Sequence, residues 1–174
     1  MAARNYFKAI GATIPERFNF TGRNRMPPKD PVNSLLSLGY TLLLYEIYAA
    51  IERIGLHPYC GFFHQDALHH PTLASDLMEE WRPVIVDTLV LSVIHKKQLT
   101  LKDFHTHQGH EGVFLSDEAI GIFLREFEKK LNTVTYYHTD QGQTYRGMLE
   151  SQVRDLWDAL RDRHVDSYRP FFLR

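Results

Sequence analysis

Residues 30–55 read DPVNSLLSLGYTLLLYEIYAAIERIG, and the reading of this stretch decides the fold. Asp30 stands where a helix N-cap belongs. Pro31 follows at the first helical position, where its missing N–H is no loss, and Gly55 stands where a left-handed residue closes a helix. Between these signals the apolar residues run almost all the way round, so the pattern predicts a long helix buried at the centre of the molecule. The apolar run from Leu35 to Ile51 falls short of a clean membrane span and carries Ser37, Gly39 and Glu46. A core helix is therefore the expectation, and a membrane-spanning one is not.

Upstream, IPERFNFTGRNRMPPKDP (residues 14–31) mixes Pro, Gly, Asn and Arg without periodicity, which predicts an irregular segment between a short first helix and the central one. From Met1 to Lys29 six basic residues, Arg4, Lys8, Arg17, Arg23, Arg25 and Lys29, meet Glu16 alone. The whole chain of 174 residues is nearly neutral, with 20 basic and 21 acidic side chains, so any nucleic-acid surface must be local. Cys60 is the sole cysteine. An intrachain disulfide and a zinc–thiolate cluster are both excluded, and a reducing cytosolic setting is expected. MAARNYFKAI lacks the basic, apolar and cleavage regions of a secretory signal.

Downstream, a second long helix is expected from Thr72 through LASDLMEEWRPVIVDTLVLSVIHKKQ, ending in Lys96 and Lys97, whose charges suit a helix C-terminus. Ser116 is the expected cap of SDEAIGIFLREFEKKL, and YRGMLESQVRDLWDALRDR supplies a last amphipathic helix. VTYYHTDQGQTY (residues 134–145) reads as the loop between them, and alternation is scarce apart from an extended piece at Val113–Leu115. One all-α, multi-helix domain over residues 1–174 is the expectation.

The chemistry-bearing stretch is HQDALHHPTLASDLMEEWRP, residues 64–83. Asp76 and Glu79 are three apart and share a helix face, so their repulsion must be offset by a divalent cation, by an arginine such as Arg82, or by water. Pro83 cannot donate to the carbonyl of Glu79, so the helix should bend or loosen there, which would help to aim Glu79 inward. His64, after Gly61-Phe62-Phe63, is placed to face the helix carrying Asp76 and Glu79. One imidazole with carboxylates suits Mg²⁺ or Mn²⁺ better than structural zinc. DLMEEW is equally an ordinary amphipathic helix with solvated Glu79 and Glu80, and spacing alone does not decide between the two. His69 and His70 read as surface residues. His105, His107 and His110 imitate a zinc loop, without the HExxH spacing or cysteines that would make it specific. Glu46, in the apolar helix, is either a third ligand or, more simply, a paired core carboxylate.

Several stretches, taken in order and spacing, carry a family resemblance: AARNYF, FNFTGRNRMPPKDPVNSLLSLGYTLL, GLHPYCGFFH, LASDLMEEWRP with Asp87 after it, and YRGMLESQVRDL. They resemble the CRISPR-associated adaptation integrases, the Cas-one family, over nearly the whole chain. The resemblance implies the all-α catalytic lobe of a metal-dependent DNA endonuclease and integrase, with a long buried central helix and a Pro-kinked site helix. It maps the family's metal-binding His onto His64 and its helical acid onto Glu79, with Asp76 at a further acidic position. The cofactor implied is Mg²⁺ or Mn²⁺. In the family a β-rich N-terminal domain comes first and supplies much of the homodimer contact, and a Glu ligand lies just before the AAR-x-YF segment. Both are expected to fall upstream of Met1. The isolated chain would then hold a metal through two protein ligands and be inactive alone.

The implied reaction is a transesterification in which the 3′-hydroxyl of incoming spacer DNA attacks a phosphodiester at the edge of a CRISPR repeat. Asp76 would orient a ligand or a metal-bound water. Arg17, Arg23, Arg25 and Lys29, chosen from the local charge excess, would contact backbone phosphates of double-stranded or branched DNA. Tyr40 and Asn33 match family positions and are expected to be structural. The partner implied by the resemblance is the small Cas-two protein, in the prokaryotic cytoplasm and away from membranes. The alternative reading is a non-catalytic fragment that binds DNA or a partner. An unrelated α-helical metallohydrolase using the same His and carboxylates is a third reading, which the extended resemblance argues against.

Overall fold

A computed structural model describes residues 2–64, 70–107, 109, 111–136 and 141–171. Six α-helices occupy most of them: α1 (Ala2–Thr13), α2 (Pro31–Ile54), α3 (Thr72–Trp81), α4 (Thr88–His95), α5 (Asp117–Leu131) and α6 (Tyr145–Asp162). Two short antiparallel ribbons complete the described structure: β1 (Phe104–Thr106) with β2 (Val113–Leu115), and β3 (Val134–Thr135) with β4 (Gln143–Thr144). The fold is all-α in character, as the sequence predicts.

Helix α2 starts and stops where its local chemistry dictates. Asp30 Oδ1 accepts the Asn33 N–H at 2.9 Å, and Ser34 N–H donates to the Asp30 carbonyl at 3.1 Å. At the other end Gly55, at φ +90°, donates to Glu52 O, and Leu56 N–H reaches Ile51 O, the paired bonds of a Schellman closure. By length and composition α2 could cross a bilayer, yet its Leu35, Leu36, Leu43, Ile47 and Ile51 are all buried within the protein.

The chain divides into two compact units, Met1–Tyr40 with Val86–Phe127, and Thr41–Ile85 with Glu128–Arg174. In the first, the start of α2 packs on Val86, with Phe18, Val90, Val93 and Phe123 in the same core. Gly39 makes the approach possible: a Cβ there would stand 2.5 Å from Val86 Cγ1. Asp87, 3% exposed, accepts from Tyr6 Oη at 2.5 Å and Tyr40 Oη at 2.6 Å, tying α1 and α2 to one buried carboxylate. Burial, and then the bond to Asp87, push the Tyr6 hydroxyl well above its usual pKa. Tyr40 and Asn33 thus have the structural settings expected of them.

In the second unit Leu77, Met78 and Trp81 of α3 share a core with Leu149, Val153 and Leu156 of α6, and Trp81 stacks on Phe171 at 4.3 Å between centroids. Glu46 is a paired carboxylate: Arg146 donates to it through Nε at 3.2 Å and Nη2 at 3.1 Å, and also reaches Glu128. One expectation changes here. Residues 134–144 are not simply a loop, because Val134 pairs with Thr144 and Thr135 with Gln143; two-residue strands are too short to show alternation. Thr144 then caps α6, accepting the Gly147 N–H at 3.1 Å. The second long helix loosens at Pro83, as expected. From Arg82 to Asp87 it widens into a π-helical turn, the loosening that Pro83 demands of a helix whose i−4 bond it cannot make.

Candidate functional site

The second unit builds its polar site around a loop and one carboxylate. Gly61 N–H donates to Thr72 Oγ1 at 2.9 Å, and that hydroxyl donates to Tyr59 O at 2.7 Å, so the loop is fastened to the first turn of α3. One turn later Asp76 accepts three successive backbone N–H groups: Phe62 at 2.6 Å and Phe63 at 3.0 Å on Oδ2, and His64 at 3.0 Å on Oδ1. Only Gly fits at position 61, where a Cβ would lie 2.7 Å from Thr72 Cβ and 2.8 Å from Asp76 Oδ2.

The same Asp76 Oδ1 stands 2.5 Å from His64 Nδ1. The Asp76 side chain is 5% exposed and that of His64 37%. Burial raises the Asp76 carboxyl, but bonds from the Phe63 N–H, the His64 ring and the Phe62 and His64 N–H groups outweigh it and hold the carboxyl below its ordinary range. An ionised Asp76 accepting from Nδ1 keeps the His64 proton on that nitrogen, so Nε2 is the ring atom left for a metal. This is the arrangement by which carboxylates orient metal-binding imidazoles. Asp76 is therefore occupied with its own loop and with His64.

Glu79 and Glu80, neighbours in sequence, have opposite settings. Glu80 accepts from Gln152 Nε2 at 2.5 Å, Tyr168 Oη at 2.9 Å and Phe171 N–H at 2.6 Å, so it is a structural group rather than a solvated charge. Glu79 is 51% exposed and pairs with Arg82 Nη1 at 2.6 Å. It is not aimed inward, because the inner face of α3 is filled by Leu73, Leu77, Met78 and Trp81. Among the described residues no three His, Cys, Asp or Glu side chains converge as a complete metal cluster would. Phe62 and Phe63 are largely exposed beside His64, Phe63 at 90%, which their apolar character did not announce. His69 lies outside the described residues; His70 meets Ser75 Oγ at 3.1 Å.

In the first unit, the basic segment is organised from within by Asn33, fully buried at the start of α2. Its Nδ2 donates to Gly22 O at 2.8 Å and Asp30 Oδ2 at 2.6 Å, and its Oδ1 accepts from Asn24 N–H and Arg23 Nη1, both at 2.9 Å. Arg23 also bonds Ser37 Oγ at 3.2 Å and lies over the Tyr40 ring, so its guanidinium braces the segment. Arg17, Arg25 and Lys29 are exposed.

The model of the family described as CRISPR associated protein Cas1 matches residues 1–129. The chain belongs to the Cas1 family. The Thermus thermophilus protein named CRISPR-associated endonuclease Cas1 3 is 41% identical over 174 residues, 99% of this chain and 52% of that protein. A Mycobacterium tuberculosis CRISPR-associated endonuclease Cas1 is 41% identical over 157 residues, 89% and 46% of the two chains. Among solved structures, a casposase bound to integration product superposes with TM-score 0.87 at 28% identity, covering 98% of this chain and 49% of that one. A chain of a Cas6-RT-Cas1–Cas2 complex gives TM-score 0.87 at 30% identity, covering 99% and 19%. This Cas1-family chain thus spans about half the length of the curated relatives it matches.

Proposed function

We propose that the chain is the helical, metal-binding part of a DNA strand-transfer enzyme of CRISPR adaptation, with His64 and Glu79 as protein ligands to Mg²⁺ or Mn²⁺. The observation that carries this reading is the Asp76 clamp, which gives His64 a defined tautomer and leaves Nε2 available. Imidazole nitrogen and carboxylate oxygen fit these ions, and the exposed Glu79–Arg82 pair is of the kind worth less than about 1 kcal/mol, so little opposes its exchange for a cation. When bound, the ion would act as a Lewis acid at the phosphodiester.

The chain's own residues hold the site ready. Asp76 sets the imidazole, and the three N–H bonds to it keep the loop from shifting as DNA approaches. The exposed rings of Phe62 and Phe63 offer faces on which unpaired bases of a branched substrate stack. Arg17, Arg25 and Lys29 contact phosphates without reading sequence. The solved relatives bound to integration product and assembled with Cas2 support DNA and a Cas2 protein as partners. Homodimerisation and action in the prokaryotic cytosol belong to the same reading.

The second reading, a DNA-binding part without chemistry of its own, is favoured by the lack of a third ligand among the described residues. Strand transfer on branched DNA with Mn²⁺ separates the two, comparing this chain with the same chain preceded by the N-terminal half of a relative. Activity in the longer protein that disappears with His64→Ala supports the assignment. A longer protein that is inactive, or one indifferent to His64→Ala, overturns it.

A further inference from the structure

The ribbon of β1 and β2 carries a second set of nitrogen ligands. His105 and His107 are two apart, so the pleat puts them on one face, and the register sets Phe114 opposite His105. Their Nε2 atoms converge to 3.2 Å, with ring centroids 4.7 Å apart and planes at 85°. Phe114 lies 5.3 Å from the His107 ring and 6.3 Å from the His105 ring, backing both imidazoles. Phe114 is itself held in place: Gly112 leaves room for its ring, since a Cβ there would stand 3.0 Å from Phe114 Cζ, and Val113 N–H donates to Pro28 O at 2.8 Å.

Two imidazole nitrogens bound to one tetrahedral zinc at about 2.05 Å stand about 3.3 Å apart. The separation in the ribbon is already close to that value. Both rings are exposed, so an N–H···N bond between them replaces bonds to water at little gain. A cation that takes both lone pairs gains much more. We propose that His105 and His107 form a binding site for a borderline divalent cation of the zinc type, with both Nε2 atoms as ligands and water in the remaining positions. Imidazole selects Zn²⁺, Ni²⁺ or Cu²⁺ over the hard ions suited to His64 and Glu79.

The test is a Zn²⁺ titration of the untagged chain in a Cys60→Ser background, followed by calorimetry and by the ¹⁵N resonances of the histidine rings. One equivalent should bind and shift the Nε2 signals of His105 and His107. Loss of an outer partner of a metal ligand costs about 10–100-fold in affinity, so His105→Ala and His107→Ala should each cost at least about tenfold. Phe114→Ala should weaken binding less than either, and His64→Ala should leave these two signals responding as before. Unchanged affinity in both histidine variants, or loss of the equivalent with His64→Ala instead, would overturn the proposal.

Discussion

His64 and Asp76 are joined twice, once through the backbone N–H at 3.0 Å and once through Nδ1 at 2.5 Å, on the same carboxylate oxygen. A single aspartate thus sets both where the imidazole begins and which way it points. Asp76→Ala should cost about 1–3 kcal/mol, since it removes the charged acceptor that serves three loop N–H groups and the His64 ring. Urea unfolding that places the variant level with the parent would refute this.

The Asp76 carboxyl is held below its ordinary range, so its contribution to stability has a defined sign with pH. The stabilisation is fully present above the unfolded value of about 3.9 and is lost as pH falls through the lower folded value. The stability gap between the parent and Asp76→Asn should therefore be constant near neutrality and close only in strong acid. A gap that widened as pH fell would contradict the assignment.

Glu79 and Glu80 should separate function from folding. Glu80→Ala removes the acceptor of Gln152, Tyr168 and the Phe171 N–H and should destabilise by about 2–3 kcal/mol. Glu79→Ala breaks an exposed pair and should change stability by less than about 1 kcal/mol, while abolishing strand transfer in the longer protein. Thermal melts and the transfer assay read the two effects independently, and an active Glu79→Ala would remove Glu79 from the site.

The basic segment divides in the same way. Arg25→Ala with Lys29→Ala should leave the melting temperature unchanged, weaken DNA binding and reduce the salt slope by about 1–2. Arg23→Ala should instead lower stability, because its guanidinium bonds Asn33 and Ser37. If binding isotherms at several salt concentrations show the same slope for the double variant, these side chains do not touch phosphates.

Gly39→Ala should cost about 1–3 kcal/mol despite alanine's better helix propensity, as its Cβ would meet Val86 at 2.5 Å. A variant as stable as the parent in urea would show that α2 and Val86 can part without loss.

What the sequence made legible was whatever is decided within a turn or two of chain. The ends of α2 follow from Asp30, Pro31 and Gly55, and the cap of α5 from Ser116, whose Oγ accepts the Ala119 N–H at 3.2 Å. Pro83 announced a loosened helix, and Arg82 a partner for Glu79. Roles fixed by distant partners were not legible. Nothing near Glu80 reveals that Tyr168 and Phe171 will close on it, and nothing near Asp76 shows that its acceptors will be spent on residues 62–64. Arg23 read as one of four like charges until Asn33, ten residues away, claimed it.

Residues 61–63, just before His64, are held through their main-chain N–H groups, by Thr72 and Asp76. The shape of this loop is consequently independent of what side chains positions 62 and 63 carry. Replacing both rings should therefore remove the exposed apolar surface of the loop without disturbing the histidine that follows them.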